Sequence, residues 1–246
     1  MKNILSITSR QNEQIRLTVQ IKNNPTAEQF IIEGSKFVHD TPLSDMLQLF
    51  TTCPQKHRQL VQDCLKNDIS VYEVTDAVMD KICDAASGQE LLAVVKKHPI
   101  SCPPKLVLLD DIQDCGNAGT IIRTAAAFGF GCVFSEHSAN PFSGKTVRSS
   151  AGAIFQCYVT RENLYQRILQ LKQQQYTILS SELHTSAISI HQCPVYPNPA
   201  ILIGNEGAGV HRELSALAHE KVYIPINNTE SLNASVAAGI FMYTFQ

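Results

Sequence analysis

The run Leu106-Val107-Leu108-Leu109 carries no polar side chain, and it is the first of several such runs in the second half of the chain. Strands are expected near 106–110, 132–135, 155–159, 176–181, 200–204 and 222–226. Helices fall between several of them, at about 117–128, 162–174 and 210–218, with a last one beginning near Ser231. A strand that is apolar on both faces must be covered on both, and helices alternating with strands supply that cover. The pattern predicts an α/β unit built on a parallel sheet. Ligands of such sheets bind beyond the carboxyl ends of the strands.

The first half is organised differently. Residues 29–33 read as a strand closed by Gly34, and residues 69–74 alternate with a period of two, as a half-buried strand does. A helix follows over 75–82, with Thr75 as its expected N-cap. Between the halves, Pro99, Pro103 and Pro104 remove backbone donors and hold their neighbours extended, which suits a connection between domains. The expected organisation is therefore a smaller α/β domain over 1–98, a linker over 99–104 and the parallel-sheet domain over 105–246. At 246 residues the chain has room for two such units, given about 150 residues per domain.

Composition narrows the class. Apolar residues make up 44% and charged residues 17%, so the chain can bury a core and is not disordered. No apolar run approaches the roughly 18 residues of a membrane span, and the N-terminus turns polar too soon for a secretory signal. Eight cysteines are scattered without a C-x-x-C pair, which argues against zinc and disulfides and for a reducing, cytoplasmic setting. No membrane and no metal are expected. Net charge is −2, so the totals do not describe a strongly basic nucleic-acid binder. Two stretches are locally basic: Lys2, Arg10, Arg16 and Lys22 against Glu13, and Arg123, Lys145, Arg148 and Arg161 against Glu136. Each is either solvated surface or a focused patch.

Three loops at strand ends could carry chemistry. The first runs from Asp110 through Gly116, Asn117 and Gly119 into a helix bearing Arg123 among Ile121, Ile122 and Ala125. Asn117 can cap that helix. Arg123 either reaches the surface, pairs with Asp110 or Asp114, or faces an anionic ligand. The second loop, Gly204-Asn205-Glu206-Gly207-Ala208-Gly209, has the glycines of a phosphate cradle, but Glu206 would repel a pyrophosphate. No P-loop lysine follows, and Gly129-Phe130-Gly131 follows a helix, so a dinucleotide-dependent oxidoreductase lacks its fingerprint. The third segment runs from Ile224-Pro225-Ile226 to Ser231-Leu232-Asn233, where Ser231 and Asn233 can cap a helix or bind a ligand. Small residues at 234, 235 and 237–239 then allow close backbone approach. No G-x-S-x-G or H-E-x-x-H occurs.

Together, in this order, the loops resemble the SpoU (TrmH-type) branch of the SPOUT RNA methyltransferases. Asn117-x-Gly119-x-x-x-Arg123 is similar to that family's first motif, and Gly204-Asn205-Glu206-Gly207-x-Gly209 to its second. Ile224-Pro225 through Ser231-Leu232-Asn233-x-Ser235 is similar to the third. Residues 145–153 resemble the usual connecting stretch, and the first half, more loosely, the substrate-binding domain often fused in front. Cys115 stands where many relatives carry proline, and the segment between Pro225 and Ser231 lacks a glycine common there.

The resemblance implies a trefoil knot in the C-terminal domain, a form that strand patterning alone does not suggest. It implies an RNA-binding N-terminal domain, a homodimer, and S-adenosylmethionine as methyl donor to a ribose 2′-hydroxyl of RNA, rRNA before tRNA. It places the donor against Ile203, Gly204, Asn205, Gly209, Ile224, Ile226 and Leu232. It makes Asn117, Arg123, Glu206, Ser231 and Asn233 the reaction centre, with Arg123 reaching the partner subunit's donor. Arginine ordinarily stays protonated, so the role that suits Arg123 is a cation that anchors phosphate and favours the ionised hydroxyl. The alternative is an arginine deprotonated by its setting that acts as a base. The competing reading is an RNA-binding protein that keeps the fold without the activity.

Overall fold

A computed structural model describes residues 3–84 and 88–246. The chain forms two compact units: residues 1–98 with 142–155, and residues 99–141 with 156–246.

The first unit is built on β1 (Leu5–Ile7), α1 (Glu13–Asn23), β2 (Phe30–Glu33), α2 (Ser35–His39), β3 (Met46–Thr51), α3 (Arg58–Lys66), β4 (Ser70–Val74), α4 (Asp76–Ile82) and β5 (Leu91–Val95). Its sheet has the order β1-β4-β3-β5-β2. β1, β4 and β3 run parallel, while β5 is antiparallel to both β3 and β2. Phe50 and Tyr72 stack at 4.9 Å in a core that includes Ile15, Val78, Met79 and Leu92. The α4 helix lies where its spacing predicts, although the Thr75 side chain makes no capping hydrogen bond.

The second unit holds β6 (Leu106–Leu109), α5 (Cys115–Phe128), β7 (Gly131–Ser135), β8 (Val159–Glu162), α7 (Leu164–Gln173), β9 (Thr177–Ser181), β10 (Ile188–Ser189), β11 (Pro199–Ile203), α8 (Arg212–Ser215), β12 (Glu220–Tyr223) and α9 (Ala234–Thr244). All seven strands are parallel, in the order β10-β12-β9-β11-β6-β7-β8. Leu106–Leu109 and Ala200–Ile203 are buried on both faces, as continuous apolar runs require. The strand expected over 155–159 forms at Val159–Glu162 instead, because Ala153–Phe155 is a 3-10 turn. From β6 the sheet grows one way to β7 and β8, and β11 pairs with β6 on the other side. The order therefore reverses between β6 and β11, the point where such sheets bind ligands.

Residues 142–155, read from sequence as part of the C-terminal domain, pack with the first unit. They carry α6 (Gly144–Ser149), which lies against β2. Phe142 and Phe155 flank Phe30 at ring distances of 5.4 and 5.9 Å. Arg148 is ion-paired with Glu33, whose side chain is almost fully buried, and Glu33 Oε2 also accepts from the Asp84 amide at 2.8 Å. All eight cysteines are free thiols, and burial pushes Cys64 up to about 11 and Cys83 up to about 12. Among the described residues no helix is long and apolar enough to cross a membrane.

Removing one member of a buried ion pair strands the other charge, at a typical cost of about 3–5 kcal/mol, whereas replacing both is close to neutral. Arg148→Met is therefore expected to lower the urea midpoint markedly, and Glu33→Gln/Arg148→Met to recover most of the loss. Equilibrium denaturation followed by circular dichroism measures both.

Candidate active site

The three loops singled out from the sequence leave the carboxyl ends of β6, β11 and β12, and buried polar groups hold them. Beyond β6, Ser138 Oγ donates to the Leu109 carbonyl and accepts from the Ile112 amide, both at 3.0 Å, and Ser135 Oγ accepts from the Asp111 amide at 3.0 Å. The Asp110 carboxylate, 3% exposed as a residue, receives the His211 amide at 2.8 Å, and His211 Nδ1 lies 3.0 Å from both of its oxygens. Asn205 Nδ2 donates to the Asp111 carbonyl at 2.9 Å. His211 is not singled out from sequence, and Asp110 is read there only as a candidate partner of Arg123. The signal was there in the acidic residue that ends the first buried strand.

The second loop closes on itself. Asn205 and Gly209 exchange backbone hydrogen bonds of 3.0 and 2.9 Å, and Asn205 Oδ1 accepts from the amides of Gly207 and Ala208. A Cβ on Gly204 would stand 2.2 Å from the Gly209 carbonyl carbon and 2.3 Å from the Val210 nitrogen, so only glycine fits there. The Asn205 side chain is thus committed to holding the loop.

At the head of α5 the expected cap is corrected. Asp114, not Asn117, is the N-cap, accepting from the Asn117 amide at 2.8 Å, and Cys115 takes the first helical position, where proline is also favoured. Freed from capping, Asn117 Nδ2 donates to Glu206 Oε1 at 2.6 Å, and Asn233 Nδ2 donates to Asn117 Oδ1 at 3.0 Å. Asn233 in turn caps α9 through the amides of Ser235 and Val236. The third segment lacks a glycine, and Asn228 takes the left-handed conformation there (φ 64°), which asparagine tolerates better than most residues.

The second and third loops, with the end of β9, line a cavity of about 510 Å³; Asn117 and Asn233 do not line it and reach its edge only through the Asn117–Glu206 hydrogen bond. Ile203, Gly204, Asn205, Gly209, Ile224, Ile226 and Leu232 all line it, with Glu206 and Ser231. Glu182, Leu183, Tyr223 and Glu230 line it too, and the sequence reading did not single them out. Arg123 does not line it. It is exposed on α5 and forms no ion pair or hydrogen bond with the described residues. The expected pairing with Asp110 or Asp114 does not form, since Asp110 holds His211 and Asp114 caps α5.

The basic stretches disperse. Arg148 pairs with Glu33 in the first unit, while Arg161 is bound to the Glu136 and Ser138 carbonyls in the second. Lys22 donates to the carbonyls of Lys81 and Cys83, at 2.9 and 3.1 Å.

Residues 104–243 match the SpoU rRNA Methylase family. The chain belongs to that family. Residues 31–101 match the RNA 2′-O ribose methyltransferase substrate-binding domain. Over 244 residues the chain is 29% identical to the 23S rRNA (guanosine(2553)-2′-O)-methyltransferase RlmP of Bacillus subtilis, covering 96% of this chain and 97% of the relative. It is 28% identical to the 23S rRNA (guanosine-2′-O-)-methyltransferase RlmB of Acinetobacter baylyi, covering 71% and 77%. The AdoMet-bound rRNA methyltransferase of Sinorhizobium meliloti superposes with a TM-score of 0.81 at 26% identity, covering 98% and 97%.

The Asp110 carboxylate raises the His211 imidazole above its ordinary range, chiefly through the hydrogen bond. A raised folded value means the contact adds stability fully below the unfolded value of about 6.5, and loses it as pH rises through the folded one. A histidine NMR titration is expected to place His211 above that reference, and Asp110→Asn to bring it down.

Proposed function

We propose that this chain transfers a methyl group from S-adenosylmethionine to a ribose 2′-hydroxyl of ribosomal RNA, acting as a cytoplasmic homodimer. The observation that carries the reading is one cavity lined by the second and third loops and the end of β9, to which Asn117 and Asn233 are tied through the Glu206 carboxylate. Full-length similarity to a 23S rRNA guanosine methyltransferase supports rRNA as the substrate class.

The residues present fit the cofactor. The cavity has the size of a small-molecule site, and the Gly204 turn brings bare backbone to its wall. Gly204, Ile224 and Leu232 would hold the donor through backbone groups, with Ile203, Asn205, Gly209 and Ile226 beside them. When bound, S-adenosylmethionine supplies a methyl group already activated by its sulfonium. The chain must then align a poor nucleophile and favour its ionised form. Asn117 and Asn233 are neutral, so they orient groups without taking the proton. Ser231 can position the hydroxyl. Glu206 adds the negative charge that suits a cationic ligand. Arg123 remains protonated, anchors phosphate and stabilises the developing alkoxide, while the proton leaves to water.

Arg123 and α9 support the homodimer reading. Arg123 lies outside the cavity of its own chain. On α9, which packs on α5, there is no charged residue, and Val236 and Tyr243 are 50% and 64% exposed. A helix with no charge and with exposed apolar and aromatic side chains calls for burial, and a second copy would supply it. That copy would also bring its own Arg123 to this cavity. The knot belongs to the same reading: the chain runs outward from β11 to β12, and α9 returns to pack on β11 and α5. Recognition of RNA is assigned to the N-terminal domain, with residues 105–246 carrying the transfer chemistry.

Arg123→Ala is expected to leave S-adenosylmethionine affinity nearly unchanged while methyl transfer falls by about 100-fold or more, the scale of losing one electrostatic stabiliser. Calorimetry and transfer of labelled methyl to ribosomal RNA read the two quantities separately. Mixing Arg123→Ala with Asn233→Ala protein is expected to restore part of the activity through hybrid dimers. A wild-type chain that binds the donor yet methylates no RNA would favour the non-catalytic binding reading.

A further inference from the structure

The cavity has one wall that none of the three motif loops supplies. β9 ends at Ser181, and Glu182 and Leu183 follow directly into the lining. The Glu182 side chain is 19% exposed and doubly held at one oxygen: Ser215 Oγ donates to Oε1 at 2.6 Å, and Lys221 Nζ lies 3.5 Å from the same atom. Its backbone amide donates to the Val222 carbonyl at 3.1 Å. The residue is thereby pinned among β9, α8 and β12. Burial pushes its carboxyl up, but the Ser215 hydroxyl and the Lys221 ammonium outweigh it and hold the group below the ordinary glutamate range. At neutral pH it is a fixed, ionised acceptor.

Charge decides what such a group accepts. Lys221 compensates the negative charge, so a cationic part of a ligand gains little by approaching it. A neutral hydroxyl needs only lone pairs, and a carboxylate has about four of those sites. Two partners crowd Oε1, so capacity remains at Oε2. Glu206 is the contrasting case, since its carboxylate accepts from the neutral Asn117 amide and keeps its charge. The cavity therefore offers two carboxylates without a cationic partner among the described residues, Glu206 and the exposed Glu230, suited to a cation, and one compensated carboxylate, Glu182, suited to hydroxyls. An acidic side chain that accepts from ribose hydroxyls at the end of a parallel strand is a known solution in other α/β sheets.

We propose that Glu182 reads the sugar of the donor, its carboxylate accepting hydrogen bonds from the adenosine ribose hydroxyls. This rests on the S-adenosylmethionine site proposed above. It makes Glu182 a binding and specificity residue with no part in proton movement.

The test is calorimetry on the full chain with S-adenosylhomocysteine and with its 2′-deoxy and 3′-deoxy forms, for wild type, Glu182→Gln and Glu182→Asp. Hydrogen bonds to charged groups are worth about ten- to hundredfold in affinity. Wild type is expected to discriminate against at least one deoxy ligand by that factor. Glu182→Gln is expected to bind the intact ligand correspondingly more weakly and to lose the discrimination. Glu182→Asp keeps the charge but withdraws the acceptor by one methylene, and is expected to lose the discrimination as well. It serves as the second arm if the glutamine variant does not fold. With RNA as acceptor, the donor KM is expected to rise while kcat at saturating donor stays within about threefold, since the interaction is the same in ground and transition states. Discrimination retained in either folded variant, or absent from a wild type that binds the intact ligand, overturns the proposal. A wild type that binds none of the three ligands overturns the cofactor reading instead.

Discussion

The buried carboxylate of Asp110 is the contact on which the site geometry depends. A parallel sheet leaves unpaired backbone groups at its carboxyl edge, and loops that lie there must find partners for them. Asp110 sits at the end of the central strand β6, donates its own amide to the Ile203 carbonyl at 2.9 Å, and takes the His211 amide on its side chain. One residue thus ties β6 to both ends of the Gly204–Val210 loop. With those ends held, the inner turn is closed by the Asn205–Gly209 pair, which is possible only because Gly204 has no Cβ. The cavity wall is therefore a product of backbone geometry, and its shape is set before any ligand arrives.

The C-terminal sheet was legible because its strands are buried on both faces. Leu106–Leu109 and Ala200–Ile203 contain only apolar residues, and that pattern admits few alternatives to a covered parallel sheet. The first unit was harder to read. β5 owes its place to antiparallel pairing with both β2 and β3, and that is long-range information. The same holds for residues 142–155. Their membership of the first unit rests on Glu33 and Phe30, more than a hundred positions earlier, and no local signal marks it.

Side-chain roles divided along the same line. Glycine and backbone requirements, as at Gly204, can be read from residue type alone. Which of two adjacent polar residues caps a helix cannot. Asp114 and Asn117 are both good N-caps, and tertiary contact decides between them, since Asn117 gains two partners from distant loops by standing one turn inside. Charge counts along the chain fail for a related reason. Arg148 and Arg161 sit close in sequence, yet each is consumed in a different unit.

The three-residue chain from Glu206 through Asn117 to Asn233 has a consequence for the proposed dimer. Each link is a direct hydrogen bond, and the last member caps α9, so the glycine-rich loop and the start of α9 cannot move independently. Both amides in the chain are oriented by it, because each must present its nitrogen to one neighbour and its oxygen to the other. If a second copy covers α9, association would hold the very helix start that positions Asn233 and, through it, Asn117 and Glu206. Formation of the interface and ordering of the polar rim would then be one event. In that arrangement the proposed division between subunits has a physical rationale. The rim is held by the same helix that the proposed partner would cover, and the cation proposed to complete it would arrive with that partner on its α5.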